Sequence, residues 1–179
     1  MKKTALHILI MGISVALIFL WVASAELSYY SLQLTAILLL TLIITHRILK
    51  PSSFKLAEST ISTMAVLLIT NATGGLTSPL FFLNYFILFE LSLLLEPLIA
   101  IAVSVLFLLF YFLTAEVGYG TLTYLELLAF PLITPFAYFF GSFYFKSTNQ
   151  KREIRTLSKK VEVLEEKLVS EEMSHLKRS

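Results

Sequence analysis

The chain has 179 residues, 57% hydrophobic and 15% charged, with a formal net charge of +2. That balance excludes an ordinary soluble domain and points to an all-α, polytopic membrane protein. The absence of cysteine excludes disulfides, thiolate metal sites and cysteine redox switches.

Lys2 and Lys3 precede an uncharged run to Ala25. As a helix, residues 5–25 reach about 31 Å, enough to cross the hydrocarbon core. The same stretch has the features of a secretory signal, with a basic start and the small-x-small pattern Ala23-Ser24-Ala25. First span and cleaved signal are both open, and either leaves Glu26 outside. Residues 27–45 form a second span. Residues 46–55, with His46, Arg47, Lys50 and Lys55, read as a basic loop with a proline stop at Pro51.

A third span covers 56–72 and carries Glu58, Ser59, Thr60, Ser62, Thr63 and Thr70. Small hydroxyl residues favour close helix packing, so this span is expected inside the bundle. The fourth span covers 79–95, and Glu96-Pro97 marks a very short connection to the fifth, 98–114. An outer loop at 116–121 leads to the sixth span, 124–145. Pro131 and Pro135 either give that span a flexible point or shape its packing.

Every Lys and Arg lies in the first three residues, in the Arg47 to Lys55 region, at Lys146 or in the tail. The segments around Glu26, 71–78 and 116–126 have none. This positive-inside pattern implies six spans in the cell (inner or plasma) membrane, with both termini cytoplasmic. Trp21, Tyr29, Tyr30, Tyr119 and Tyr124 then form an aromatic belt near the outer interface. Residues 1–145 read as a transmembrane sensor domain and 146–179 as a cytoplasmic coiled-coil signalling helix.

Between spans three and four stands Thr70-Asn71-Ala72-Thr73-Gly74-Gly75-Leu76-Thr77-Ser78-Pro79. Two glycines free the backbone for positive φ, and Pro79 suits the first turn of a new helix. Irregular backbone at the membrane edge must be buried in protein or face water. The stretch is therefore a tight interhelical turn or a shaped pocket, on the outer side.

In the tail, Ile154, Leu157, Val161, Leu164 and Leu168 repeat at spacings of three and four. With a at 154, 161 and 168, this seam favours a parallel dimer. Lys160 and Lys167 at g then face Glu165 and Glu172 at e, both attractive pairs. An exposed amphipathic helix is the other reading of so short a seam.

Glu90 lies in the middle of the fourth span, at a depth where a carboxylate costs on the order of 3 kcal/mol. Two roles are open to it: proton acceptor for a redox ligand, or hydrogen-bond partner for Ser and Thr on the third span. Phe81, Phe82, Tyr85, Phe86 and Phe89 make the span aromatic, a wall for a flat apolar ligand or a lipid-facing or packing surface. His7, His46 and His175 do not converge, so no metal site is expected. No phosphate loop, nucleophile elbow or HExxH motif is present, so no catalytic residue is assigned and no nucleic-acid partner is expected.

Gly74-Gly75-Leu76-Thr77-Ser78-Pro79-Leu80 resembles the membrane sensor region of RegB/PrrB-type redox-responsive histidine kinases. That family has six spans and a Gly-Gly-x-x-Asn-Pro-Phe motif between spans three and four, implicated in quinone binding. Gly74, Gly75 and Pro79 match it. Ser78 replaces the Asn and Leu80 the Phe, with Phe81 and Phe82 following at once, and the family's redox cysteine is absent. The resemblance implies a sensory turn formed by Gly74, Gly75, Ser78 and Pro79, with Glu90 on the same helix. It also implies a quinone as possible cofactor.

No kinase catalytic domain is present in this sequence, so no enzymatic activity is expected of it. The expected role is a membrane-embedded input module of two-component signal transduction, in contact with membrane lipid. It senses a quinone-like ligand or the state of the membrane, dimerises through its tail, and works with a cytoplasmic kinase or response regulator. The other class considered is a non-signalling membrane scaffold or small transport subunit that recruits a cytoplasmic partner through the same helix.

Overall fold

In the computed structural model, the backbone is described for residues 2–48, 51–115 and 121–176, and side chains for 4–48, 55–115, 125–168 and 173. The elements are α1 (Lys2–Ala23), α2 (Ala25–Ser28), α3 (Ser31–Ile48), α4 (Pro51–Ala72), a 3-10 turn (Gly75–Thr77), α5 (Leu83–Leu94), α6 (Pro97–Thr114) and α7 (Thr121–Leu176). The loop expected at 116–121 falls outside the described residues up to 120. The side chains of Lys2, Lys3, Tyr124, Glu172 and His175 also fall outside them.

Among the described residues, four helical stretches are long and apolar enough to cross a membrane: Thr4–Ala23, Ser31–Ile48, Pro97–Thr114 and Leu125–Leu168. α4 is long but less apolar than these, and α5 is apolar with 12 residues.

Two sequence expectations shift. The basic loop at 46–55 is largely helical, because α3 runs on through Arg47 to Ile48 and α4 already begins at Pro51. A proline that stops one helix equally opens the next, since the first-turn N–H has no intrahelical partner. The helix expected from Pro79 starts only at Leu83. Residues 78–85 are held instead by i→i+3 bonds, with the Phe81, Leu83 and Asn84 amides donating to the carbonyls of Ser78, Leu80 and Phe81.

The chain divides into two compact units, Met1–Ser142 and Phe143–Ser179. In the first, α4 packs on α1, α3 and α5, and α6 packs on α1 and α5. The core runs through Met11, Leu67, Leu68, Leu91, Ile99 and Phe107. Polar side chains are buried with it, including Ser59, Thr63, Thr70, Asn84, Ser92 and Ser104. Large apolar side chains face outward, as along Leu6, Leu9, Ile13, Leu17 and Leu20 of α1. Hydroxyls inside and leucines outside fit lipid as the surrounding solvent. There, close packing and interhelical hydrogen bonds of about 0.6 kcal/mol each take over from the hydrophobic effect.

The 121–142 part of α7 is tied into this unit at three levels. The Tyr85 hydroxyl donates to the Glu126 carbonyl at 3.0 Å. The Thr134 hydroxyl lies 2.6 Å from that of Ser104. The Ser92 hydroxyl donates to the Ala137 carbonyl at 2.5 Å. The second unit is one helical segment whose described side chains from Arg152 to Leu168 are all exposed.

Candidate functional site

Gly74 and Gly75 have φ of 124° and 60°, and among the described residues no non-glycine takes positive φ. Gly74 closes α4, and its carbonyl accepts from the Thr77 hydroxyl at 2.9 Å and the Thr77 amide at 3.1 Å. A Cβ on Gly74 would meet Thr77 Oγ1 at 3.1 Å.

Ser78 fastens the turn back onto α4. The Leu80 amide donates to Ser78 Oγ at 3.1 Å, and Ser78 Oγ lies 2.5 Å from Thr73 Oγ1. Since the Thr73 hydroxyl donates to the Ile69 carbonyl at 2.7 Å, it is Ser78 that donates to Thr73. Leu80, Ser78, Thr73 and Ile69 thus form one directional relay. Ser78 is buried, whereas Pro79 is exposed.

Two side chains plug the turn into the bundle: Leu76 is 2% exposed and Phe81 is 4% exposed. The Phe81 ring meets Tyr85, Tyr111 and Phe130 with centroids 5.7, 4.9 and 5.7 Å away. Such edge-on aromatic contacts add about 0.5–1.5 kcal/mol each beyond area burial. Beneath them Asn84 is fully buried, accepting from the Tyr111 hydroxyl at 3.0 Å and donating to the Phe81 carbonyl at 2.9 Å. Asn84 and Tyr111 escape the sequence reading, although a lone Asn in an apolar span was a visible signal. The expected aromatic wall divides: Phe81 is buried, Tyr85 and Phe89 are partly buried, and Phe82 and Phe86 are exposed.

Against the turn lies a cleft of about 640 Å³, lined by Phe19, Val22, Asn71, Gly74, Gly75 and Thr77 among others. A neighbouring cleft of about 530 Å³ shares Val22, Ala23, Ser28 and Asn71 with it. Of the candidate sensory residues, Gly74 and Gly75 line the larger cleft, while Ser78, Pro79 and Glu90 do not.

Glu90 faces α4, where the Ser62 hydroxyl hydrogen-bonds its carboxyl and Glu58 acts on it through its charge. Its Oε1 is buried and has no hydrogen-bond partner among the described residues. The site therefore consists of a turn with its cleft and, separately, the buried Glu90 carboxyl facing α4. Among the described residues no group of His, Asp and Glu could hold a metal ion.

The dimerisation candidates Ile154, Leu157, Val161, Leu164 and Leu168 lie on the second unit, 65%, 60%, 53%, 59% and 60% exposed. No protein-family model, curated protein or solved structure matches this chain.

Proposed function

We propose that this protein is a membrane-embedded sensory module with six spans and cytoplasmic termini. Its outer turn and cleft receive the stimulus, and α7 carries it to a tail that pairs with a second copy. In this reading α4 and α5, extended by the turn residues 78–82, complete the six crossings begun by the four long apolar stretches. The positive-inside distribution of Lys and Arg supports the orientation.

One observation carries the reading. α7 is held to the bundle by Tyr85, Ser104 and Ser92, and the same helix runs on to Leu176 through the exposed heptad positions. In this reading a displacement of α7 at those contacts is passed along the chain to the tail. Two tails tethered in one membrane have a raised effective concentration, which helps a short seam to pair.

The stimulus is a quinone-like lipophilic ligand or the state of the bilayer, and the output partner a cytoplasmic kinase or response regulator. The resemblance to RegB/PrrB-type sensor regions motivates the ligand class. The polar cleft beside Gly74 and Gly75 and the Glu90 carboxyl are the two places where such a ligand would act.

The test is disulfide cross-linking at Leu157→Cys and Leu164→Cys in native membranes, since the chain has no cysteine of its own. The yield should change with quinone redox state or added quinone. A yield indifferent to both would favour a constitutive scaffold that recruits a cytoplasmic partner through the tail.

A further inference from the structure

The tail carries its charge in two blocks. From 146 to 160 there are six basic residues, Lys146, Lys151, Arg152, Arg155, Lys159 and Lys160, and one acidic residue, Glu153. From 161 to 172 the balance reverses, with five glutamates against Lys167.

The helical period sorts these charges by face. Arg152, Arg155 and Lys159 recur at spacings of three and four and form one exposed stripe. Glu162 and Glu166 continue that stripe with opposite sign. In the heptad frame all five occupy b and f, on the side away from Ile154, Leu157 and Val161. Pairing through the seam uses the charges at e and g and leaves b and f unused. The basic stripe therefore needs another explanation than pairing.

Its position in the chain supplies one. Phe143 and Tyr144, both exposed, close the apolar stretch immediately before Lys146. At about 1.5 Å per residue, Arg152 follows Phe145 by roughly 10 Å and Lys159 by roughly 21 Å. Screening at physiological salt acts over about 8 Å. An upright helix would leave Lys159 out of reach of a charged surface, and a helix leaning on that surface would bring the whole stripe to it. Ser147, Thr148 and Asn149, modest helix formers, stand where such a lean would start.

We propose that Arg152, Arg155 and Lys159 dock the tail helix on anionic phospholipid headgroups of the membrane that the preceding apolar segment enters. Clustered Lys and Arg beside a span bind such surfaces, each contributing about fivefold. Glu162 and Glu166 limit the docked length by repulsion. A nucleic acid could meet the same charges, but the membrane is already held at the end of the stripe. Docking and pairing exclude each other, a consequence that rests on the dimeric reading above. A helix lying on its basic stripe turns its seam to water, and two such helices cannot face one another.

The experiment uses the full chain with one introduced cysteine, Thr156→Cys, carrying an environment-sensitive fluorophore. The protein is reconstituted in phosphatidylcholine vesicles with or without phosphatidylglycerol. The expected result is a blue shift and protection from an aqueous quencher only with phosphatidylglycerol, lost at about 1 M salt, where screening shortens to about 3 Å. Arg152→Gln, Arg155→Gln and Lys159→Gln together should lower the docked fraction on the order of a hundredfold. Glu162→Gln with Glu166→Gln should raise it, a gain that misfolding does not imitate. Equal quenching in both lipids, or a shift indifferent to the basic variants, would overturn the proposal. So would an equal response to an RNA oligonucleotide added to phosphatidylcholine vesicles, which would assign the stripe to nucleic acid.

Discussion

Gly141 of α7 sits against Ser92 of α5 so closely that a Cβ on the glycine would stand 1.9 Å from Ser92 Oγ and 2.6 Å from its carbonyl oxygen. The Ser92 hydroxyl donates to the Ala137 carbonyl one turn earlier on α7. The two helices therefore meet backbone to backbone, as small residues allow in lipid. Gly141→Leu should push α7 off α5 and destabilise the bundle by about 1–3 kcal/mol, the usual cost of overpacking. Unfolding in mixed micelles measures this. Ser92→Gly should restore part of the loss, because the backbone oxygen remains in the way.

The Tyr111–Asn84 bond should behave as a coupled pair. Tyr111→Phe leaves Asn84 Oδ1 without its donor in a buried site, at a cost of about 1 kcal/mol. In an Asn84→Ala background the same change should cost much less. A double-mutant cycle giving a coupling near zero would show that the two residues pack without depending on one another.

The turn should discriminate between its glycines. Gly75, at φ 60°, lies in the left-handed region that Asn tolerates, so Gly75→Asn should be mild. Gly74, at φ 124°, lies outside it, and Gly74→Asn or Gly74→Ala should cost about 1–3 kcal/mol. Labelling of Leu76→Cys, at a position 2% exposed in the turn, should rise from the aqueous phase with the Gly74 variants and stay low with Gly75→Asn.

The seam offers a fourth check. Leu157→Asp with Leu164→Asp places charges at both d positions and should abolish cross-linking through Val161→Cys, while thermal unfolding of the membrane unit stays unchanged. A yield unaffected by both aspartates would mean that pairing, if any, uses another face.

The long apolar helices were legible because 20 or so unbroken apolar residues admit few other fates. Gly74 and Gly75 were legible for a similar reason, since adjacent glycines between two spans mark backbone that other residues resist. Helix starts were harder. Pro51 reads as a stop and Pro79 as a start, yet the structure opens α4 at the first and delays α5 beyond the second. Ser78 decides the second case, because its hydroxyl and carbonyl draw the Leu80 and Phe81 amides into a succession of turns. Asn84, Ser92 and Gly141 were not legible as a set. Their partners arrive through packing, with Tyr111 27 positions from Asn84 and Ala137 45 positions from Ser92. Glu90 was singled out for its depth, with Ser and Thr of the third span as one of its two expected roles. That Ser62 is the one, with Glu58 acting on it too, depends on how α4 is rotated, which spacing within α5 does not encode.

Pro131 and Pro135 stand inside α7, between the level of the Tyr85 contact and that of the Ser92 contact. Each lacks an amide proton, so the carbonyls of Leu127 and Pro131 never receive the donor a regular helix would bring them. Between its two fastenings to α5 the helix therefore lacks two rungs of its ladder, and each proline ring crowds the carbonyl it leaves unpaired. A change of angle at this level of α7 would break fewer backbone hydrogen bonds than one in an uninterrupted stretch of helix.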